Sequence, residues 1–347
     1  MSDGRATPSG TSAFAREAGS APGHFREALD LSLSSIGIGT YLGRDDDATD
    51  ASYARAVRRA LELGVNVIDS AINYRNQRSE RAVGNALRDS GVPRERVVVC
   101  TKGGFLAFDG ARPRDPRAAL EESYVRPGLL RWDEIVGGMH SIAPRFLADQ
   151  IDRSRRNLGV QTIDLYYLHN PETQLSEVSR EEFIARLRAA FGELERACDE
   201  QRIAAYGTAT WNGYRVADED GEYLSLHEVL QAARDVAGAR HHFRAVQLPF
   251  NLEMDEAATL PNQRGRTLLQ LAREAGVAVF ASASVLQGRL ARLSPAQRER
   301  LADLDTDAQR SLQFVRSTPG ITCALVGMKS PAHVEENCAV AGIQPLR

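Results

Sequence analysis

Residues 65–102 read VNVIDSAINYRNQRSERAVGNALRDSGVPRERVVVCTK, and this stretch contains one complete unit of the fold. Val65–Asp69 is an apolar run that predicts a buried strand. Ser79–Ser90 has apolar residues at helical spacing, begins with a serine suited to cap a helix, and stops near a Gly and a Pro. Val97–Thr101 is a second buried strand. A helix between two such strands predicts a parallel βαβ unit.

The same alternation continues in both directions along the chain. Further strands are predicted at 35–40, 165–168, 203–208, 245–248, 277–281 and 321–326, and further helices at 49–63, 146–158, 181–201, 225–236, 267–275, 307–317 and 331–341. Eight strand–helix steps in order predict an α/β fold, a closed (β/α)8 TIM barrel. No G-x-G-x-x-G motif follows the first strand, which argues against an open dinucleotide-binding sheet.

We expect two departures from a plain barrel. Residues 1–28 are rich in Gly, Ala, Ser and Pro and predict a flexible N-terminal tail before a barrel domain over 29–347. Residues 103–144 join the third strand to its helix and are rich in Pro, Gly and charge. Structureless loops of this length are uncommon and usually functional. We therefore expect a partly helical insertion over the active-site end of the barrel.

Charge and hydropathy exclude several classes of partner. The chain has 43 basic and 46 acidic residues, a net charge of −3, so we expect no nucleic-acid partner. No apolar run approaches the roughly 20 residues of a membrane span, and the N-terminus lacks the apolar core of a signal peptide. Four dispersed cysteines without a C-x-x-C pair predict free, buried thiols and a cytoplasmic protein. The oligomeric state stays open.

Chemistry in such a barrel sits at the carboxyl ends of the strands. Here the strands end in Asp69, Lys102, His169 and Gln247, and Tyr74 follows Asp69 by five residues. Lys102 is notable because 41 of the 43 basic residues are arginine. A lysine retained against that background suits a role that needs a compact ammonium with a tunable pKa. A buried lysine needs an anion, and Asp69 ends the neighbouring strand.

Together these side chains form a set for proton transfer. We expect the Lys102 ammonium to lower the pKa of the Tyr74 phenol from about 10, so that the phenol can protonate a forming alkoxide. Asp69 would hold the ammonium, and His169 would orient and polarise a substrate carbonyl. No metal is required, and no carboxylate spacing around the remaining histidines indicates a metal site.

These residues resemble the aldo-keto reductase superfamily over nearly the whole chain from about residue 30. The sharpest match is Val67–Leu87 (VIDSAINYRNQRSERAVGNAL), with its Asp, a Tyr five residues later, Ser-Glu and a Gly-x-Ala-Leu helix. VVCTK, and DLYYLHNPE at Asp164–Glu172, are similar to the family's lysine and histidine strands. The resemblance implies the catalytic tetrad Asp69, Tyr74, Lys102 and His169, and an NAD(P)H-dependent reduction of an aldehyde or ketone to an alcohol, or the reverse.

The resemblance also implies a nicotinamide cofactor extended across the barrel mouth, with NADP(H) favoured and NAD(H) possible. Gln247, in AVQLPFN, would lie near the carboxamide. Residues 325–337, LVGMKSPAHVEEN, are similar to the segment that holds the adenosine end. The implied contacts there are Lys329 and Ser330 with a 2′-phosphate, and Glu336 and Asn337 near the adenine, with His333 where many members have Arg or Gln.

Other cofactor positions depart from the family pattern. Ala209 replaces the usual serine, and Thr210 stands where Asn is frequent. Ser282 occupies the place of the aromatic residue that often stacks on the nicotinamide, and Gly288 follows in the next loop. Loss of that ring should weaken binding by about 1 kcal/mol. The aromatic residues that can compensate are Phe105, Trp132 and Trp211.

The substrate is expected to be a small carbonyl compound or a sugar. Arg75 and Arg78 follow Tyr74 closely and suit recognition of an anionic or polyhydroxylated substrate, and His140 in the insertion can line the pocket. Two alternatives stay open. One is a regulatory protein that binds the cofactor on the same scaffold. The other is a lyase or isomerase that acts on a sugar through transient oxidation.

Overall fold

The computed structural model describes residues 4–299, 301 and 304–346. Eight parallel strands form a closed barrel in chain order, and its first and last strands pair with each other. The barrel prediction is confirmed. The strands are a hairpin of β1 (Phe25–Ala28) and β2 (Leu31–Ser34), and the barrel strands β3 (Ile36–Gly39), β4 (Val67–Asp69), β5 (Val98–Gly103), β6 (Leu165–His169), β7 (Tyr206–Ala209), β8 (Phe243–Pro249), β9 (Ala278–Ser282) and β10 (Cys323–Gly327).

A helix follows each barrel strand and covers the outside of the barrel. In chain order the α-helices are α1 (Pro8–Glu17), α2 (Asp47–Glu62), α3 (Arg78–Asp89), α4 (Pro116–Leu120), α5 (Pro144–Leu158), α6 (Arg180–Asp199), α7 (Leu226–Ala237), α8 (Glu256–Thr259), α9 (Leu268–Glu274), α10 (Pro295–Arg298), α11 (Asp307–Ser317) and α12 (Pro331–Cys338). The outward faces of the strands and the apolar faces of the outer helices form the larger of two main hydrophobic cores. The smaller core fills the barrel interior.

The N-terminal residues are ordered, so the prediction of a flexible tail over 1–28 is wrong for the part that the structure describes. The Thr7 hydroxyl caps α1, and Phe14 of this helix is buried. A Cβ at Gly10 would lie 2.3 Å from the Glu95 carbonyl oxygen, so the helix packs against that backbone more closely than a side chain would allow. Small residues here serve close packing and not mobility. Leu31 and Leu33 of the hairpin join the core of the barrel interior.

The connection between β5 and α5 is an insertion that contains α4, a π-helical turn at Glu121–Val125 and a 3-10 turn at Trp132–Glu134. It contains a small hydrophobic cluster of its own, built around Leu120, Tyr124 and Leu130, and this cluster rests on Phe146 of α5. The Tyr124 hydroxyl donates a hydrogen bond of 2.6 Å to the Ala107 carbonyl oxygen and ties the beginning of the insertion to its middle. The segment is therefore folded against the barrel.

The cysteines are as the sequence predicts. Cys100, Cys198, Cys323 and Cys338 are free and buried, as predicted. In the described residues we find no helix with the length and apolar character that crossing a bilayer would require.

Candidate active site

A cleft of about 700 Å³ lies at the carboxyl end of the barrel. Strand ends and the loops after them form its walls, as expected for a barrel of this kind. The sequence-predicted site residues that line it are Asp69, Tyr74, Phe105, His169, Thr210, Trp211, Gln247, Ser282, Gly288, Lys329, His333, Glu336 and Asn337. Residues from most of the strand ends therefore line the same cleft.

The pleat of the strands explains why polar side chains gather at this end. Side chains alternate between the two faces of a strand, and Val98 and Cys100 of β5 belong to the interior core. Lys102 lies two residues further along β5, so its side chain also points into the barrel interior. Its backbone pairs with that of Tyr167 on β6. The same step places His169 beyond Tyr167. The catalytic candidates therefore form the uppermost interior layer of the barrel.

Asp69 is the hub of that layer. Its Oδ2 accepts a hydrogen bond of 2.5 Å from Lys102 Nζ, and its Oδ1 accepts one of 2.9 Å from Gln247 Nε2. Lys102 Nζ also donates to the Ser70 carbonyl oxygen at 2.8 Å. Burial disfavours the Lys102 ammonium, but the Asp69 carboxylate, together with hydrogen bonds to Asp69 and Tyr74, outweighs burial and raises the pKa of Lys102. The lysine is therefore charged, as the sequence predicted.

Tyr74 lies against the ammonium, with Lys102 Nζ 4.9 Å from the centre of its ring. From the sequence, we expect Lys102 to lower the pKa of this phenol below its ordinary value. That expectation is wrong, because the sum of all effects raises the pKa. Burial raises the pKa of Tyr74, and the opposing effect of Lys102 is smaller. Tyr74 thus keeps its proton at neutral pH. That is the form a proton donor needs before reaction.

The His169 ring is neutral and packed between two aromatic rings. Burial, reinforced by the charge of Lys102, holds the pKa of His169 well below its ordinary value. Phe105 packs edge-on at 5.0 Å between ring centres, and Tyr74 does so at 5.8 Å. His169 Nδ1 is buried and has no hydrogen-bond partner among the described residues. The ring is therefore oriented by packing and by its backbone.

The cleft also contains buried polar atoms that suit a polar ligand. Thr210 Oγ1 and Asn337 Oδ1 are buried, line the cleft, and find no hydrogen-bond partner in the described parts of the chain. Buried polar atoms of this kind are normally satisfied, so the two atoms suit a ligand. Lys329, just before α12, and His333, on α12 with Asn337, also line the cleft. Ser330 does not, since its hydroxyl accepts a hydrogen bond of 3.4 Å from the His333 backbone nitrogen and caps α12.

Arg75 and Arg78 do not line the cleft, contrary to the sequence-based expectation. Arg75 forms an ion pair with Asp50, and its side chain is only 2% exposed. Arg78 pairs with Asp47 and, at 2.5 Å, with Asp50. Both guanidinium groups are therefore neutralised by acids of α2, and neither is available to a substrate in this structure. The sequence did not reveal these pairs because the acids lie 25 or more residues away.

Two other pocket candidates also lie outside the cleft. The Trp132 side chain is on the surface of the insertion, where its Nε1 donates a hydrogen bond of 2.8 Å to Glu121 Oε2. Trp132 is thus unable to replace the missing stacking ring at Ser282. His140 is fully buried behind His169, and its Nε2 lies 2.8 Å from the His169 carbonyl oxygen.

The structure adds two residues that the sequence did not single out. Tyr41 lines the cleft and packs against Tyr74 with ring centres 4.9 Å apart. It follows the end of β3, so the strand-end rule could have found it. Glu172 is buried, and its Oε1 accepts hydrogen bonds from the backbone nitrogens of Trp211 at 2.7 Å and Asn212 at 3.2 Å. Glu172 thereby holds the loop that carries Trp211.

Comparison with known proteins agrees with this geometry. An uncharacterised oxidoreductase of Schizosaccharomyces pombe is 24% identical over 321 residues, covering 91% of this chain and 84% of the relative. The 9,11-endoperoxide prostaglandin H2 reductase of Trypanosoma cruzi is 28% identical over 186 residues, 54% of this chain and 47% of that protein. For this second relative, the match spans about half of each protein.

Solved structures share the fold. An aldo-keto reductase from Bacillus halodurans in a holo form has a TM-score of 0.64 at 20% identity, covering 93% of this chain and 92% of that one. One from Klebsiella pneumoniae in complex with NADP and acetate has a TM-score of 0.61 at 20% identity, covering 94% and 92%. The model of the aldo/keto reductase family matches residues 35–347. The chain therefore belongs to the aldo/keto reductase family.

Proposed function

We propose that this protein is an NADP(H)-dependent oxidoreductase that reduces an aldehyde or ketone to an alcohol, or runs the reverse reaction, with Tyr74 as the proton donor. The observation that carries the proposal is the convergence of Asp69, Tyr74 and His169 on one cleft, with Lys102 buried against Asp69 and Tyr74. Buried phenol, ammonium and imidazole groups in contact have a use in proton transfer and little use in simple binding.

The residues divide the work in a definite way. The neutral His169 ring donates a hydrogen bond to the carbonyl oxygen and fixes the substrate. Tyr74 gives its proton to that oxygen as negative charge develops there. The Lys102 ammonium, held by Asp69, stabilises the phenolate that remains. A bound nicotinamide supplies or accepts the hydride. In the alcohol-oxidising direction Tyr74 takes the proton back.

Support for NADP(H) comes from the polar wall of the cleft. Gln247 and Thr210 would hold the carboxamide end, and Lys329 would pair with a 2′-phosphate. Glu336 and Asn337 would lie at the adenine. Gly288, in the loop after β9, has a positive φ of 91° and leaves room for a ligand next to its backbone. The Klebsiella structure named above, which holds NADP, is consistent with this choice.

The substrate end of the cleft favours an uncharged carbonyl compound with a flat apolar substituent. Tyr41 and Trp211 border it and are 54% and 41% exposed, although both side chains are large and aromatic. Phe105 lines the inner wall. The nearby guanidinium groups of Arg75 and Arg78 are paired with carboxylates. At this end of the cleft, the described residues therefore offer an anionic or sugar substrate apolar rings and no unpaired guanidinium group.

The first experiment is a fluorescence titration of the purified protein with NADPH and, separately, with NADH. We expect saturable binding with a preference for NADPH. Lys329→Ala should weaken NADPH at least tenfold and NADH little, as loss of an ion pair to phosphate predicts. The control is Arg59→Ala, which removes an exposed cation that pairs with Glu335 on α12. Equal weakening of both cofactors would exclude a contact between Lys329 and the 2′-phosphate.

The second experiment measures NADPH oxidation with aldehydes that differ in charge and polarity. We expect benzaldehyde to be reduced with a higher kcat/KM than 4-carboxybenzaldehyde or glyceraldehyde. NADPH binding without turnover of any carbonyl compound would favour the regulatory alternative. Conversion of a sugar with tightly retained cofactor and no net NADPH consumption would favour the lyase or isomerase alternative.

A further inference from the structure

His140 stands at the neck of the insertion, where the chain leaves the barrel and returns. Phe105 and His140 form an antiparallel β-bridge. The Ser141 backbone nitrogen donates to the Gly104 carbonyl oxygen at 2.8 Å, and the Leu106 nitrogen donates to the Met139 carbonyl oxygen at the same distance. The two ends of the insertion are thereby joined directly beside the end of β5.

A directed chain of hydrogen bonds passes through the His140 ring. Arg186 can only donate, and its Nη1 donates to Gln174 Oε1 at 2.9 Å. The Gln174 amide nitrogen must then face His140 and donate to its Nδ1 at 2.8 Å. His140 consequently carries its proton on Nε2 and donates it to the His169 carbonyl oxygen at 2.8 Å. Burial lowers the pKa of His140 to about 4, which keeps this tautomer neutral.

The same ring also supports Phe105. The ring centres of His140 and Phe105 are 4.9 Å apart and edge-on, and Phe105 packs in turn on the His169 ring. Since His169 Nδ1 has no hydrogen-bond partner among the described residues, no polar side chain there orients it through that atom. His140 is thus in contact with two of the features that fix His169, its backbone carbonyl and the Phe105 ring.

We propose that His140 is a positioning residue for His169, through which the neck of the insertion sets the orientation of the catalytic imidazole. The inference rests on the proposed function for its kinetic consequence. Because the His140 ring does not change its charge near neutral pH, its hydrogen bond to the His169 carbonyl oxygen keeps His169 aligned over the pH range in which the His169 imidazole must stay neutral. His140 lies within the insertion and is buried against the loop that carries Gln174, so it connects the insertion to the reaction centre.

The test compares three variants of the full-length protein. His140→Leu removes the donor at similar volume, and His140→Gln keeps an amide donor near the Nε2 position. Tyr124→Phe removes the buried hydrogen bond to Ala107 within the same insertion but leaves His140 and His169 in place. We expect His140→Leu to lower kcat for benzaldehyde by roughly 10- to 100-fold, because a small misalignment of a catalytic group has a cost of this size. The affinity for NADPH should be unchanged. The primary kinetic isotope effect measured with deuterated NADPH should become larger. His140→Gln should recover most of the activity, and Tyr124→Phe should lose little.

A second readout does not depend on turnover. In protein with 15N-labelled histidine, the His169 ring signals, assigned with a His169→Gln variant, should shift in His140→Leu and not in Tyr124→Phe. Unchanged kinetics and His169 signals in a folded His140→Leu protein would overturn the proposal. So would an equal loss of kcat in Tyr124→Phe. If the wild type reduces no carbonyl compound, the proposed function fails, and the His169 signals still decide whether His140 positions that ring.

Discussion

At the scale of the residue, Tyr74 is where burial and charge oppose each other. Burial raises the pKa of its phenol, and the Lys102 ammonium opposes that rise. The proton therefore stays on the phenol until a nearby oxygen becomes strongly basic, as a forming alkoxide does. The same ammonium then stabilises the phenolate. The pair suits a donor that releases its proton only during the reaction.

Tyr74→Phe removes the hydroxyl and keeps the ring that packs against His169 and Tyr41. We expect kcat to fall at least about 10²-fold, the usual contribution of a positioned general acid. NADPH affinity should stay nearly unchanged. Stopped-flow measurement of a single turnover, together with the fluorescence titration, checks both values. A variant as active as the wild type would remove Tyr74 from the role of proton donor.

At the scale of the element, a carboxylate in the loop after β6 holds the loop after β7 in place. Glu172, in the turn after β6, accepts backbone N–H groups at the start of the loop after β7, which carries Trp211. Burial raises the pKa of Glu172 to about 7, although these hydrogen bonds oppose the rise. The native protein therefore binds this proton more tightly than the unfolded chain does.

Glu172→Gln tests this coupling by fixing the group in a neutral state. Between the ordinary pKa of a glutamate and pH 7 the native state retains a proton that the unfolded chain has lost. The contribution of Glu172 to stability consequently falls as pH rises through that window. We expect the difference in Tm between Glu172→Gln and the wild type, measured by calorimetry, to shift in favour of the variant as the pH rises from 5 to 8. Glu222→Gln, which changes an exposed carboxylate on the same loop, should show no such trend.

At the scale of the whole molecule, Asp164 joins three distant parts of the chain. Its Oδ2 accepts hydrogen bonds from Arg94 Nη2 at 2.6 Å and from the Val99 backbone nitrogen at 2.7 Å. Its Oδ1 accepts one of 2.7 Å from the Ala6 backbone nitrogen. Asp164 and Arg94 form a buried ion pair. This contact fixes the N-terminal segment to the barrel, at the start of β6 and far from its carboxyl end.

Asp164→Asn would leave the buried Arg94 guanidinium without its anion. We expect a loss of about 3–5 kcal/mol in the free energy of unfolding, as for other broken buried pairs, measured by urea titration. Because the site is remote from the cleft, kcat/KM should be unchanged in the folded variant. Asp133→Asn is the matched control, since its pair with Arg131 is exposed to solvent and should contribute far less to stability. Equal losses in the two variants would contradict the structural role of Asp164.

The sequence by itself determined the barrel and the order of its catalytic candidates. Alternating strands and helices are local patterns, and a closed parallel barrel brings the residues at successive strand ends into one layer. Asp69, Lys102 and His169 could be placed together for that reason alone. The family's motifs lie at those same strand ends, so the resemblance and the periodicity led to the same residues.

The tertiary structure decided which of the other polar groups are free and which are engaged. Arg75 is paired with Asp50, His140 is locked behind His169, and the Gly-rich N-terminus packs against Glu95, although each can be read otherwise from its neighbours in sequence. Each outcome depends on a partner that is distant along the chain, and periodicity carries no information about such pairs. The pKa of Tyr74 follows the same rule, because burial is a property of the assembled fold. The local periodicity of the sequence determined the barrel. Contacts between residues distant along the chain determined the electrostatics of the site.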